Sequence, residues 1–312
     1  MSGPLRVLGT GRVAAALVRA LADRRPLGLW GRDHAAALAL AEGRAGVHAF
    51  RDLADLLTDG AGPLLLAVAD PALAELAGRL ASDLGPGDVV LHLAGFHDVE
   101  LLAPLAGRGV AVGVLHPNAA VGPDAGAEAF AGVVFGVSGD DAARAAAREL
   151  ATELGGRVLE LPPGARPTVH AAASLLANGT VGLFAEAEAL LAEALDGSQA
   201  EVARALLLGL LRSSLANLER LPTVQALTGP VARGDADVVA GQLAALGSSG
   251  EPRRAALLAE LVTAMERLLA SERQGAGPDG SADGPSRGEL GGSPEDRASG
   301  DPRRDPGPEG TA

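Results

Sequence analysis

Two histidines and one asparagine sit where side chains can move a proton or orient a substrate. His116 follows the apolar run "VAVGVL" and precedes Pro117, which places it at the carboxyl end of a predicted strand. His170 falls in the first turn of a predicted helix, "RPTVHAAASLLANGTVGLF", and Ser174 and Asn178 follow it at i+4 and i+8. Residues so spaced project from one helix face. That face is otherwise apolar, so the three polar groups need partners, which a cleft would supply. Imidazole is the side chain best matched to proton transfer near neutrality. In "ALTGPVARGD", Arg233 offers a guanidinium fork for a carboxylate, while Asp235 equally suits the N-cap of the next helix. His92 lies inside an apolar strand and reads as a satisfied core histidine; His34, His48 and His97 read as peripheral.

The missing residue types narrow the chemistry further. The chain has no cysteine, no tyrosine and no lysine, so all 26 basic residues are arginine. Thiolate nucleophiles, cysteine-ligated metals, Schiff bases and the P-loop lysine are therefore excluded. Proton transfer falls to His, Asp, Glu, water, or a hydroxyl held by Asn or Ser. No metal site is expected.

A glycine turn supplies the second chemical feature. "VLGTGRVAAAL" gives Gly9-Thr10-Gly11-Arg12-Val13-Ala14, a G-x-G-x-x-A pattern after a strand and opening a helix. Gly9 permits the tight turn, Gly11 lets backbone approach a pyrophosphate, and Ala14 allows close helix–sheet contact. The helix N-terminus then offers free N–H groups to phosphates. At the end of the second strand, "LWGRDH" puts Gly31 where an acid for a ribose 2′-hydroxyl would stand, followed by Arg32. Arg32, helped by Arg12, suits a 2′-phosphate, which points to NADP rather than NAD. At the end of the fourth strand, Ala67, Val68 and Ala69 in "AVADPALAEL" leave room for ribose and nicotinamide, and Asp70 reads as a helix N-cap.

These residues need an α/β frame. Apolar strand candidates at 5–8, 27–30, 47–50, 64–68, 89–93 and 110–115 alternate with helical stretches, and "GVVFGVSG" and "RVLEL" extend the series. Continuous apolar strands between helices predict a doubly wound Rossmann-type parallel sheet. With 47% hydrophobic but only 2% aromatic residues, the core must rest on close contacts of Ala, Leu and Val. Such heavy Ala and Arg use resembles coding bias, so single Ala or Arg choices carry little information. "LPPGARP" at 161–167 ends the α/β pattern, and an all-helical second domain follows, with helices over 167–196, 199–221, 235–246 and 251–273. The expected domains are 1–161 for the dinucleotide, 162–273 for substrate and dimerisation, and a disordered tail at 274–312, where apolar residues almost vanish. A net charge of −13 argues against nucleic acid or an anionic membrane as partner. The absence of cysteine, of room for a signal peptide before Leu5, and of an uninterrupted apolar span fits a cytoplasmic protein. The long first helix of the second domain makes a homodimer plausible.

The stretches "VLGTGRVAAAL", "LLLAVADPAL", "VVLHLAGF", "LHPNAAV", "FAGVVFGVSGD", "VHAAASLLAN" and "ALTGPVARGD" together resemble bacterial Rossmann-like proteins with a C-terminal domain of unknown function 2520. The likeness spans residues 5–273. It departs at Ala94, Val169 and Ala177, where relatives carry Ser, Tyr and Ser. The layout is similar to the 6-phosphogluconate dehydrogenase-like group, which includes ketopantoate reductase and pyrroline-5-carboxylate reductase. The resemblance implies an NADP-binding domain, a helical domain that commonly dimerises, and a cleft between them. That group often places Lys and Asn four apart on the first helix of the second domain; Asn178 matches the Asn, and Ser174 stands at the Lys position. The expected activity is an NADP-dependent reduction of a small 2-oxo acid (ketopantoate-like) or imine, with Asn178 orienting substrate, His116 or His170 giving a proton and Arg233 anchoring a carboxylate. A non-catalytic NADP-binding regulator and a deazaflavin-linked oxidoreductase are the alternatives.

Overall fold

Strand β1 (Leu5–Leu8) opens an alternating series in the computed structural model, which describes residues 3–275 other than 61, 196 and 250. The disordered tail expected at 274–312 lies almost wholly outside the described residues. In order come α1 (Arg12–Leu21), β2 (Leu27–Trp30), α2 (His34–Ala41), β3 (Val47–Ala49), α3 (Leu53–Thr58), β4 (Leu64–Leu66), α4 (Asp70–Leu80), β5 (Val89–His92), α5 (Ala103–Ala106), β6 (Ala111–Pro117), β7 (Val134–Gly139), α6 (Asp141–Glu153) and β8 (Arg157–Glu160).

The strands form one sheet in the order β3-β2-β1-β4-β5-β6-β7-β8. The order reverses between β1 and β4, which makes the carboxyl edge there a topological switch point where ligands bind. All pairings are parallel except β6 with β7. This exception corrects a wholly parallel expectation. The connection from β6 to β7 carries only a short 3-10 turn at Ala127–Phe130, and β7 returns against β6. A parallel return is usually made through a crossover helix, and this connection of residues 118–133 holds none beyond that turn.

Alternation along the strands sorts the core onto two faces. Leu5, Val7, Leu27, Leu29, Leu65 and Leu91 pack with α1 and α6. Leu64, Leu66, Val90 and Val112 pack with α3, α4 and α5. Alanine makes the close fit expected: α6 buries Ala143, Ala146, Ala147 and Ala151. A Cβ on Gly113 of β6 would stand 2.8 Å from that of Ala143.

From Arg166 onward every described element is helical: α7 (Arg166–Ala194), α8 (Ala200–Arg220), α9 (Thr223–Ala226), α10 (Pro230–Arg233), α11 (Ala236–Gly247) and α12 (Arg253–Gly275). The segment expected to link the second and third long helices thus holds two short helical turns. The chain groups into two compact units, one ending at Leu207 and one beginning at Leu208, so α7 belongs with the sheet. In the second unit α12 packs on α9, α10 and α11.

The stretch 167–185 of α7 carries no charged residue, and α7 is long and apolar enough to cross a membrane by length and composition. This corrects the expectation that no apolar span reaches that length. Its first turns are nevertheless tied to the sheet: Arg166 is buried and donates to Ser138 of β7 at 2.8 Å.

Candidate active site

The glycine turn and both imidazoles lie along the carboxyl edge of this sheet, in the first unit. Gly9 has φ of +127°, a region L side chains rarely adopt, and a Cβ there would fall on the Ala67 carbonyl oxygen. The turn can therefore pass close to β4 only as glycine. Gly11 is the N-cap of α1 without a side-chain cap, and no atom lies within 4 Å of where its Cβ would be. Open space in front of a helix N-terminus with free N–H groups is what a pyrophosphate requires.

A cleft of about 310 Å³ opens there, lined among others by Gly9, Thr10, Gly11, Arg32, Ala67, Val68 and Ala69. Seven of the nine residues expected to hold the cofactor thus line one space; Arg12 and Val13 do not. Arg79 and Glu75 of α4 and Trp30 complete it, and no motif in the sequence marked them. Gly31 packs against the turn: a Cβ there would stand 2.6 Å from Thr10 Cγ2, so a larger residue at that position requires the Thr10 side chain to shift. Asp33 caps α2, accepting from the N–H groups of Ala35 (3.0 Å) and Ala36 (3.2 Å). Asp70, by contrast, is the first residue of α4 and not its cap; Ala69 takes that place with no side-chain bond.

The imidazoles gather two strands away, roughly 10 Å along the edge from β4 at the usual strand spacing. β6 extends through Pro117, further than expected, because its last residues pair antiparallel with β7, His116 opposite Gly136. His116 Nδ1 lies 2.8 Å from the Leu93 carbonyl. A carbonyl only accepts, so Nδ1 carries a proton. Burial, with His170 and Arg166 adding to it, pushes the His116 pKa below the ordinary histidine value, against the opposing Leu93 bond. The ring is therefore neutral near pH 7, and Nε2 presents a lone pair. Nε2 has no hydrogen-bond partner among the described residues.

His170 meets His116 edge to face, with ring centroids 5.7 Å apart, and meets Phe96 at 6.4 Å. Its Nδ1 is buried without a hydrogen-bond partner. Between the rings lies Gly95: a Cβ there would overlap His170 Nδ1 and stand 2.8 Å from His116 Cε1. Ser174 is half-buried and Asn178 exposed on the same α7 face, and neither makes a hydrogen bond among the described residues. Asn178 lies about 12 Å along the helix axis from His170. Arg233, in the second unit, is exposed, and its Nε donates to Asp235 at 2.8 Å. Asp235 stands at the N-cap position of α11 but makes no capping bond, because its carboxylate serves Arg233.

His92 is fully buried as expected. Its Nδ1 accepts from Ala94 N–H at 3.1 Å and its Nε2 lies 2.9 Å from the Asp98 carbonyl, while burial lowers its pKa. A second buried group was not foreseen. Arg166 is 1% exposed, donates to Ser138 Oγ, and stands 3.7 Å from Asp98 Oδ1. Ser138 Oγ in turn donates to Asp98 Oδ1 at 2.5 Å. Among the described residues no cluster of His, Cys, Asp or Glu has metal-binding geometry.

Comparison with known proteins agrees with this layout. Residues 4–117 match the Rossmann-like domain and residues 133–265 the domain of unknown function 2520. No curated protein sequence matches the chain. Among solved structures, protein TM1727 from Thermotoga maritima is 25% identical, with a TM-score of 0.67 over 86% of this chain and 99% of that one. A pyrroline-5-carboxylate reductase from Coxiella burnetii shares the fold at 17% identity and a TM-score of 0.60, over 86% of this chain and 99% of its own. A reductive aminase from Aspergillus terreus, solved with NADPH and ethyl-5-oxohexanoate, does so at 20% identity and 0.56, over 88% and 95%. The chain thus carries a Rossmann-like domain followed by the domain of unknown function 2520.

Proposed function

We propose that this protein is an NADP-dependent oxidoreductase that reduces a small imine. The observation that carries the reading is that an open glycine-turn cleft and a neutral imidazole with a free Nε2 share one sheet edge in one compact unit. The relatives solved as a pyrroline-5-carboxylate reductase and with NADPH support the cofactor class. NADPH, when bound, would supply the hydride that, with the proton of a protonated imine, gives an amine. Gly9, Gly11 and the α1 N-terminus would hold the pyrophosphate, and Arg32 the 2′-phosphate.

The His116 tautomer favours the imine among the two substrate classes expected. Reduction of a 2-oxo acid needs a proton delivered to the carbonyl oxygen as hydride arrives. A neutral His116 whose only N–H is committed to Leu93 cannot deliver it. A protonated imine already carries its proton, and its N–H needs an acceptor, which Nε2 provides. His170 borders the same position, and Ser174 and Asn178 would orient the rest of the substrate along α7. Arg233 is already paired, which weakens its role as a carboxylate anchor.

The full-length protein should be titrated calorimetrically with NADPH and NADH, then screened by nicotinamide absorbance over cyclic imines and 2-oxo acids. NADPH-selective binding with imine turnover supports the reading. Turnover of 2-oxo acids alone overturns the substrate class, and binding without turnover favours a regulator.

A second copy of the chain is the partner we propose. Leu175, Leu176 and Val181 of α7 and Val202 and Leu206 of α8 are each more than half exposed, and large apolar side chains left open along a helix suit a protein partner. Light scattering should give a dimer, and a monomer at micromolar concentration would remove it.

A further inference from the structure

The loop from β5 to Asp98 carries the residues that touch both imidazoles, and it is fastened at two points. His92 grips it from within the sheet, through Ala94 N–H and the Asp98 carbonyl. Arg166 grips it from α7, through the Asp98 carboxylate, with Ser138 bridging the two side chains. Between these fastenings lie Leu93, whose carbonyl fixes the His116 tautomer, and Gly95, on which His170 rests. Arg166 is also the first residue of the helix that bears His170, four positions on.

We infer that Arg166, clamped by Asp98 and Ser138, is a positioning residue for His116: its bonds dock the start of α7 on the loop that orients both imidazoles, and they bury a cation within electrostatic reach of the His116 ring. An arginine at this depth is costly unless paired and bonded. Here two donors are used, towards Ser138 and, more weakly at 3.4 Å, the Gly136 carbonyl, and Nε is left with only the longer contact to Asp98. Structural anchoring alone does not call for a cation, since an apolar side chain of the same volume would dock a helix at lower cost. A buried cation that acts on His116 opposes its protonation through the low-dielectric interior. The charged and titratable groups that act on His116 are His170 and Arg166 of α7 and Asp70 of α4, and of these only Asp70 favours its charged form. Burial lowers the arginine's own pKa, with Asp98 and Glu100 opposing, but guanidinium stays ionised throughout the working range.

This inference rests on the proposal that His116 faces substrate, yet it can be tested without turnover. The His116 ring proton should be followed by NMR against pH in full-length wild type, assigned with His116→Gln. In Arg166→Met the titration midpoint should move to higher pH, while Arg166→Lys, which keeps the charge but loses the fork, should stay near wild type. If Arg166→Met does not fold, Arg166→Gln, which removes the charge but keeps a donor for Ser138, should show the same upward movement. An unmoved midpoint in a folded charge-free variant overturns the inference. So does an Arg166→Lys midpoint displaced as far as that of Arg166→Met, which would mean that packing alone sets it. An upward movement in a protein that turns over no imine keeps the inference and discards the proposed reaction.

Discussion

The two ends of the candidate site are built by different means. The cofactor end is a matter of backbone: glycines at 9, 11 and 31 and alanines at 67 and 69 matter because they lack bulk. The imidazole end is a matter of side chains, whose tautomer, charge and spacing depend on residues from β5, β6, β7 and α7. What an end made of absences demands is space, and adding an atom breaks it. What an end made of contacts demands is partners, and removing or moving one breaks it.

Gly9→Val should have the largest effect. It meets the Ala67 carbonyl and a φ of +127° together, so NADPH affinity should fall at least a hundredfold, about 3 kcal/mol, by calorimetry. A Gly9→Val protein that binds normally would mean that the cofactor lies elsewhere. Gly95→Ala applies the same perturbation at the other end. It should push His170 off its seat and cut turnover by roughly tenfold to a hundredfold, while NADPH binding holds. Loss of both together would show that the two ends are not separable.

Arg32→Ala should weaken NADPH by about tenfold and NADH hardly at all, the cost of one charge-assisted phosphate contact. Equal losses for both nucleotides would remove the 2′-phosphate assignment.

Acid separates the ends further. His92 and His116 both have pKa values lowered by burial, so the unfolded chain takes up protons at a higher pH than the folded one. Stability should therefore be flat above the ordinary histidine value of about 6.5 and fall as pH drops from there through the folded values. Imine turnover should fall with protonation of His116, since Nε2 then ceases to accept. Denaturant melts and a pH–rate profile check both, and a turnover that rises in acid would make His116 a donor after all. The smallest effect is expected at Arg233→Ala, within about twofold in kcat/KM, because an exposed pair of this kind contributes little.

Legibility followed the same division. Strand and helix order, the G-x-G-x-x-A turn and the change to helices after 160 were readable because periodicity and glycine spacing are local properties. The antiparallel β7 was not, since strand direction depends on how the β6–β7 connection closes. Among histidines, position in a strand was enough to mark His92 as core and His116 as an edge residue. That His170 would meet His116, whereas Arg233 would meet Asp235, was not readable from spacing.

Arginine shows the limit most clearly. In a chain whose 26 basic residues are all arginine, no single one stands out by type. Yet Arg6 and Arg166 are each 1% exposed. Arg6 is satisfied by the Gly62 and Leu57 carbonyls and by Asp88 at 3.6 Å. Arg166 is held by Ser138 and Asp98, residues 28 and 68 positions away in the chain. By itself the sequence determined the α/β frame, the glycine cradle and the exclusion of lysine, cysteine and tyrosine chemistry, because these follow from local pattern and from composition. The tertiary structure alone decided which arginine is buried and which carbonyl takes the His116 Nδ1 proton, and hence which imidazole nitrogen is free to accept, because burial and hydrogen bonds join strands far apart in sequence.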